Sequence, residues 1–166
     1  MSQVTFKGNP VQTLGKLPAV GSQAPNFHLV KADLSEVDLN QFKGKKKVLN
    51  IFLSLDTPVC ALSVETFNKQ AQTFPNIAII NISKDLPFAQ KRFCDSKKIG
   101  AETLSTFRSS FGKDYGLEIV EGPLKGLCAR AVIVLDEGDK VVYSELVSEI
   151  THEPNYKAAL EALKSK

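Results

Sequence analysis

Val48-Leu49-Asn50-Ile51-Phe52-Leu53-Ser54-Leu55-Asp56-Thr57-Pro58-Val59-Cys60 holds a strand, a turn and the start of a helix. The apolar run from Lys47 to Leu53 does not alternate with polar residues, so it reads as a strand buried on both faces. Beyond the turn, Cys60, Val64, Phe67, Ala71 and Phe74 recur at helical spacing and make one apolar stripe. With Thr57 as the N-cap, Pro58 takes the first helical position, where a missing N–H costs nothing. Cys60 then takes the third, beside free backbone N–H groups at the positive end of the helix dipole. A capping hydroxyl bonds the N–H at that position, and a capping box places Glu or Gln there. A thiolate would fill the same anionic slot, and the thiolate is the nucleophilic form of cysteine. The bland alternative is a small apolar residue on the helix stripe, a common fate of free cysteine.

Outward from this stretch, strands alternate with helices. Val4-Thr5-Phe6 and Val11 to Leu14 flank Gly8-Asn9-Pro10 as an N-terminal hairpin. Phe27 to Val30 and Glu36-Val37 are expected as short strands around Asp33. Pro75-Asn76 closes the first helix, and Ile77 to Ile82 is a second buried strand. Asp85 is expected to cap a helix that starts near Pro87 and runs towards Lys97. A short strand at Leu104 and a short helix over Phe107 to Tyr115 follow. Ala131 to Leu135 is a third apolar strand, turned through Glu137-Gly138-Asp139 into Val141-Val142-Tyr143. Pro154 to Lys164 reads as a closing helix. The pattern implies one α/β domain over residues 1–166, with a mixed sheet covered by helices.

Composition narrows the function. A chain of 166 residues with a formal net charge of +3 is too mildly basic to imply nucleic acid. The Lys43, Lys45, Lys46 and Lys47 cluster reads as a solvated turn before a strand. No run suits a membrane span, and no secretory signal opens the chain, so the expected address is the cytoplasm. Three cysteines at uneven spacing do not make a disulfide scaffold. His28 and His152 form no metal-ligand spacing with them. The absence of a Cys-x-x-Cys pair weighs against a disulfide exchanger.

Three further residues bear on Cys60. Arg130 leads into a buried strand, so its guanidinium needs a partner: the Cys60 sulfur and a substrate oxygen, or a structural carboxylate. Cys128 shares a face with Arg130 if both are extended, although a buried apolar role suits it better. Cys94 lies near the far end of its helix. A disulfide needs Cα atoms about 4.4–6.8 Å apart, so bonding Cys94 to Cys60 requires helix ends to unwind.

Asp56-Thr57-Pro58-Val59-Cys60 resembles the peroxidatic-cysteine motif of peroxiredoxins. The strings Asp85-Leu86-Pro87-Phe88-Ala89-Gln90-Lys91-Arg92-Phe93-Cys94, Leu104-Ser105-Thr106-Phe107-Arg108 and Gly122 to Arg130 resemble the bacterial thiol peroxidases, an atypical two-cysteine subgroup. The resemblance runs essentially end to end. It implies a thioredoxin-like fold, a mixed central sheet flanked by helices, with an N-terminal β-hairpin. It implies reduction of hydrogen peroxide and alkyl hydroperoxides, with Cys60 becoming a sulfenic acid. Cys94 would resolve that acid to a disulfide within one chain, and thioredoxin would reduce the disulfide. Thr57 and Arg130 would bind the peroxide and activate Cys60. A homodimer with no metal or organic cofactor is the family's common form. One residue departs from the pattern: Leu53 stands where the motif carries proline. A distorted pocket there leaves a slow or non-catalytic thiol redox sensor as the alternative.

Overall fold

The computed structural model describes residues 1–164. A hairpin of β1 (Ser2–Phe6) and β2 (Asn9–Thr13) pairs antiparallel as expected, but its turn is Lys7-Gly8, both at positive φ, while Asn9 and Pro10 lie within β2 opposite Phe6 and Thr5. The main sheet holds β3 (Leu29–Val30), β4 (Glu36–Val37), β5 (Lys46–Ile51), β6 (Ile77–Ser83), β7 (Glu102–Ser105), β8 (Ala131–Leu135) and β9 (Val141–Leu146). Among the described residues their order is β4-β3-β7-β6-β5-β8-β9. The helices are α1 (Pro58–Ala71), α2 (Pro87–Lys97), α3 (Phe111–Asp114) and α4 (Tyr156–Lys164).

Strand direction follows from connection length. Helix α1 joins β5 to β6 and α2 joins β6 to β7, so both pairs are parallel. A tight turn joins β8 to β9, and that pair is antiparallel. The central strands alternate between two buried layers. Val48, Ile79, Val132 and Val134 pack with Phe67 of α1 and Ala159 and Leu163 of α4. Leu49, Ile51, Ile80, Ile82 and Ile133 pack in the other layer with Leu29 and Phe111. Burial on both faces is why β5 carries an unbroken apolar run. Together these features make the mixed sheet flanked by helices, with an N-terminal hairpin, that the resemblance implies.

Expected boundaries shift in several places: α1 ends at Ala71, before Pro75-Asn76, and β3 is confined to Leu29–Val30. Strand β5 ends at Ile51, and the Phe52 N–H donates a last bond to Ile82 O at 3.1 Å before the chain turns away at Leu53. The helix expected over Phe107 to Tyr115 is confined to Phe111–Asp114. Hydroxyls explain the loss. Ser105 Oγ accepts from the Phe107 N–H and Ser109 Oγ from the Phe111 N–H, which offers the backbone an alternative to helix.

The hairpin is tied to the β9–α4 connection by Glu149. Its carboxylate accepts from the Thr5 hydroxyl, the Lys7 and Gly8 N–H groups, and the N–H and hydroxyl of Thr151. The bonds from the Thr151 and Gly8 backbone hold this carboxyl well below the usual glutamate range. A depressed folded pKa gives stability that is present above the unfolded pKa and is lost as pH falls through the folded one. Glu149→Gln should therefore lower the melting temperature at pH 7. The gap to wild type should narrow as pH drops below roughly 4.3, the ordinary glutamate value. Thermal melts from pH 7 to pH 3 check this, and a gap independent of pH would contradict it.

Candidate active site

The turn between β5 and α1 is as the sequence places it. Thr57 is the extended N-cap residue (φ −104°, ψ 142°), Pro58 is the first helical residue, and the Ala61 N–H donates to Thr57 O at 3.1 Å. Its hydroxyl behaves differently from expectation. It donates to Ser54 O at 2.9 Å and makes no capping bond to the helix. The Thr57 side chain therefore leaves the first-turn N–H groups uncapped, while its own lone pairs stay available.

Asp85 also departs from expectation. The N-cap of α2 is Leu86, which makes no side-chain capping bond. The Asp85 carboxyl instead reaches to the lead-in of α1. It accepts from Ser54 Oγ at 2.6 Å, from the Leu55 N–H at 2.8 Å and from Ser83 Oγ at 2.6 Å. Its backbone carbonyl accepts from Ser105 Oγ at 2.6 Å. One residue thus joins the ends of β6 and β7 to the segment before Cys60.

Behind Cys60 lies a buried polar chain that the sequence reading missed. Ser63 Oγ donates to Cys60 O at 2.8 Å. Asn50 Nδ2 donates to Ser63 Oγ at 3.3 Å and to Asn81 Oδ1 at 3.0 Å. Asn50 and Asn81 are direct partners across β5 and β6 and are fully buried. The available signal was an asparagine inside each of two apolar strands, because a buried amide needs partners.

In front of the turn is a pocket of about 260 Å³ with mainly apolar walls. Phe6 and Lys7 come from the hairpin, Leu53, Thr57, Pro58 and Val59 from the approach to Cys60, and Arg130, Ile150 and Thr151 from the far side. Thr57 and Arg130 therefore share one pocket. Arg130 is 1% exposed. Its Nε donates to Ile150 O at 3.0 Å, and its buried Nη1 has no partner. No carboxylate pairs with it among the described residues, so the structural ion pair is not formed. A buried guanidinium N–H without an acceptor calls for an oxygen. Cys60 itself has no exposed surface and packs with the core, so the apolar alternative describes its surroundings too.

Cys94 lies elsewhere. Half-buried on α2, it lines a separate cleft with Gln90 and Thr103, and its thiol donates to Thr103 Oγ1 at 3.2 Å. Burial pushes this thiol's pKa up. Cys128 is buried in the core, and desolvation pushes its thiol up to about 12. All three cysteines are free thiols here.

A family profile described as Redoxin matches residues 19–160. A thiol peroxidase of Mycobacterium tuberculosis is 52% identical, over 98% of this chain and 99% of its own length. A peroxiredoxin-like protein from Aquifex aeolicus superposes with a TM-score of 0.94 at 41% identity, covering 99% of this chain and 96% of its own. A thiol peroxidase from Chromobacterium violaceum superposes with a TM-score of 0.92 at 26% identity, with the same coverage.

Asp85→Asn puts an amide donor among three donors. It should destabilise the fold by about 1–3 kcal/mol, the cost of unsatisfied buried groups. Urea unfolding checks this. The same variant should loosen the Ser54–Leu55 lead-in to α1, which loses its anchor, and hydrogen exchange at the Leu55 amide reads this.

Proposed function

The chain belongs to the Redoxin family and is a thiol-dependent peroxidase, and we propose that Cys60 is its peroxidatic residue, with Thr57 and Arg130 as its substrate-binding groups. One observation carries this reading. The unpartnered Nη1 of buried Arg130 belongs to a residue that shares a pocket with Thr57, one helical turn before Cys60.

The Cys60 thiolate attacks the terminal oxygen of a hydroperoxide. The O–O bond breaks, an S–O bond forms, and the alkoxide or hydroxide leaves as alcohol or water after taking a proton. Cysteine is oxidised to sulfenic acid and the peroxide is reduced. Thr57 Oγ1, its proton committed to Ser54 O, offers lone pairs to the hydroperoxide O–H. Arg130 supplies a fixed N–H donor to oxygen in an apolar-walled pocket, where such a bond is strong. The apolar walls suit an alkyl hydroperoxide as well as hydrogen peroxide.

Cys94 then displaces hydroxide from the sulfenic acid. The Cys94 proton leaves with that hydroxide as water, and a Cys60–Cys94 disulfide forms. The pairing rests on the motif resemblance, and it needs movement, because Cys60 is fully buried in the core while Cys94 lines a cleft whose walls do not include Cys60. A thioredoxin-type dithiol closes the cycle by thiol–disulfide exchange. The same reading takes a reducing cytoplasmic setting and a homodimer, in which a second copy would cover the exposed Leu86 and Phe88 at the start of α2. The full burial of Cys60 favours a slow redox sensor as the second reading, and turnover under excess peroxide and reductant separates the two.

Cys60→Ser should abolish thioredoxin-dependent peroxide consumption, and wild-type turnover in that variant would sink the reading. Cys94→Ser should keep one equivalent of Cys60 oxidation and lose the intramolecular disulfide, read by peptide mapping without reductant. Arg130→Met should slow the first step by about 10–100-fold, the worth of a hydrogen bond to a charged group. Stopped-flow measurement of Cys60 oxidation tests it.

A further inference from the structure

The Cys94 cleft has a volume of about 300 Å³ and is built differently from the pocket that Thr57 and Arg130 share. Its charged side chains are matched. Lys91 pairs with Asp95 at 2.7 Å, Lys31 approaches Glu102 at 4.0 Å, and Asp33 accepts from the Ser35 hydroxyl at 2.6 Å. None of these groups hydrogen-bonds the thiol. That bond goes to Thr103 Oγ1, on β7, which packs against α2. Thr103 is 7% exposed, so its hydroxyl is held away from bulk water. Gln90, one turn before Cys94 on α2, lines the same cleft, and its buried Oε1 has no donor.

A hydroxyl can both accept from a thiol and donate to a thiolate from one atom, because its proton rotates. We propose that Thr103 is a positioning residue for the resolving step, holding the Cys94 sulfur as a thiol in the resting enzyme and donating to it as a thiolate before it attacks. The inference rests on Cys94 being the resolving cysteine. The step balances: Cys60 sulfenic acid and the Cys94 thiol give a disulfide and one water. The hydroxide leaving Cys60 takes up the proton that Cys94 releases.

The chemistry makes resolution pH-dependent. Burial raises the Cys94 pKa, the Thr103 bond opposes that rise, and the Asp95 carboxylate adds to it. Because the thiolate is the attacking form, resolution should accelerate as pH rises through this pKa. Removing the hydroxyl should move that midpoint to higher pH and slow resolution near neutrality.

The test uses reduced full-length protein, one equivalent of hydrogen peroxide and acid quenching. Mass spectrometry follows the Cys60–Cys94 disulfide, and dimedone trapping follows the sulfenic acid. Thr103→Val keeps the shape and the strand preference without the hydroxyl. It should form the disulfide about tenfold more slowly at pH 7, the worth of one ordinary hydrogen bond. Its midpoint should lie at higher pH, and sulfenic acid should accumulate. Thr103→Ser restores the hydroxyl and should recover the wild-type rate and midpoint. The rate of sulfenic acid formation and the melting temperature report whether each variant is folded. A Thr103→Val profile that overlays wild type overturns the role of Thr103 alone. Equal slowing in Thr103→Ser and Thr103→Val also overturns it, since packing rather than the hydroxyl would then be responsible. A wild-type protein that forms no Cys60–Cys94 bond overturns the resolving role of Cys94 and this inference with it.

Discussion

The hold of the Asp85 carboxyl on Ser54 and Leu55 is the constraint around which the site is arranged. Strand β5 must stop, turn and launch α1 within a few residues, and turns left to themselves sample many conformations. Two hydroxyls and one N–H converge on Asp85, which is itself tied to Ser105 at the end of β7. The ends of β5, β6 and β7 therefore move as one body. Thr57 inherits its position from this anchorage through its bonds to Ser54, and Cys60 follows one helical turn later. The buried Ser63, Asn50 and Asn81 hold the same turn from behind.

Arg130 shows a different balance. Burying a guanidinium is costly unless its donors are satisfied. Ile150 O meets one of them, and Nη1 is left without a partner at the pocket. An unsatisfied buried donor of this kind costs the resting fold free energy. The acceptor Ile150 sits beside Glu149, which pins the hairpin to the same connection. The N-terminal hairpin therefore does more than decorate the domain. Phe6 and Lys7 form one wall of the pocket, and Glu149 sets where that wall stands.

The two thiols of the proposed cycle face different environments. Cys60 is enclosed and braced on several sides, whereas Cys94 is half-buried near the end of a short helix. That helix ends at Lys98 in the left-handed conformation, φ 56°, and its outer face is largely exposed. Few buried contacts and exposed backbone bonds are the marks of a segment that opens locally. In the proposed cycle, the sheet would stay intact while the Cys94 end of α2 rearranges.

The order of strands and helices, the N-cap of α1 and the placement of Cys60 were readable in the residues because they depend on neighbours in sequence. Apolar periodicity, a proline at the first helical position and a glycine in a tight turn act locally. The motifs named Cys60, Cys94, Thr57 and Arg130, and the structure puts Thr57 and Arg130 in one pocket while setting Cys94 at another. What local patterns did not carry was the choice of partner. The Asp85 side chain looked like a helix cap, and the Thr57 hydroxyl looked like an acceptor for an N–H of its own helix. Asp85 bonds elsewhere because β5 and β6 end side by side and bring Ser54 within reach, whereas the Thr57 hydroxyl turns back to Ser54 O three residues earlier. The pairing of Asn50 with Asn81, the unpartnered nitrogen of Arg130 and the bond from Cys94 to Thr103 join residues far apart in the chain. Only packing decides such contacts, because a hydrogen bond depends on distance and angle in space and not on separation along the sequence.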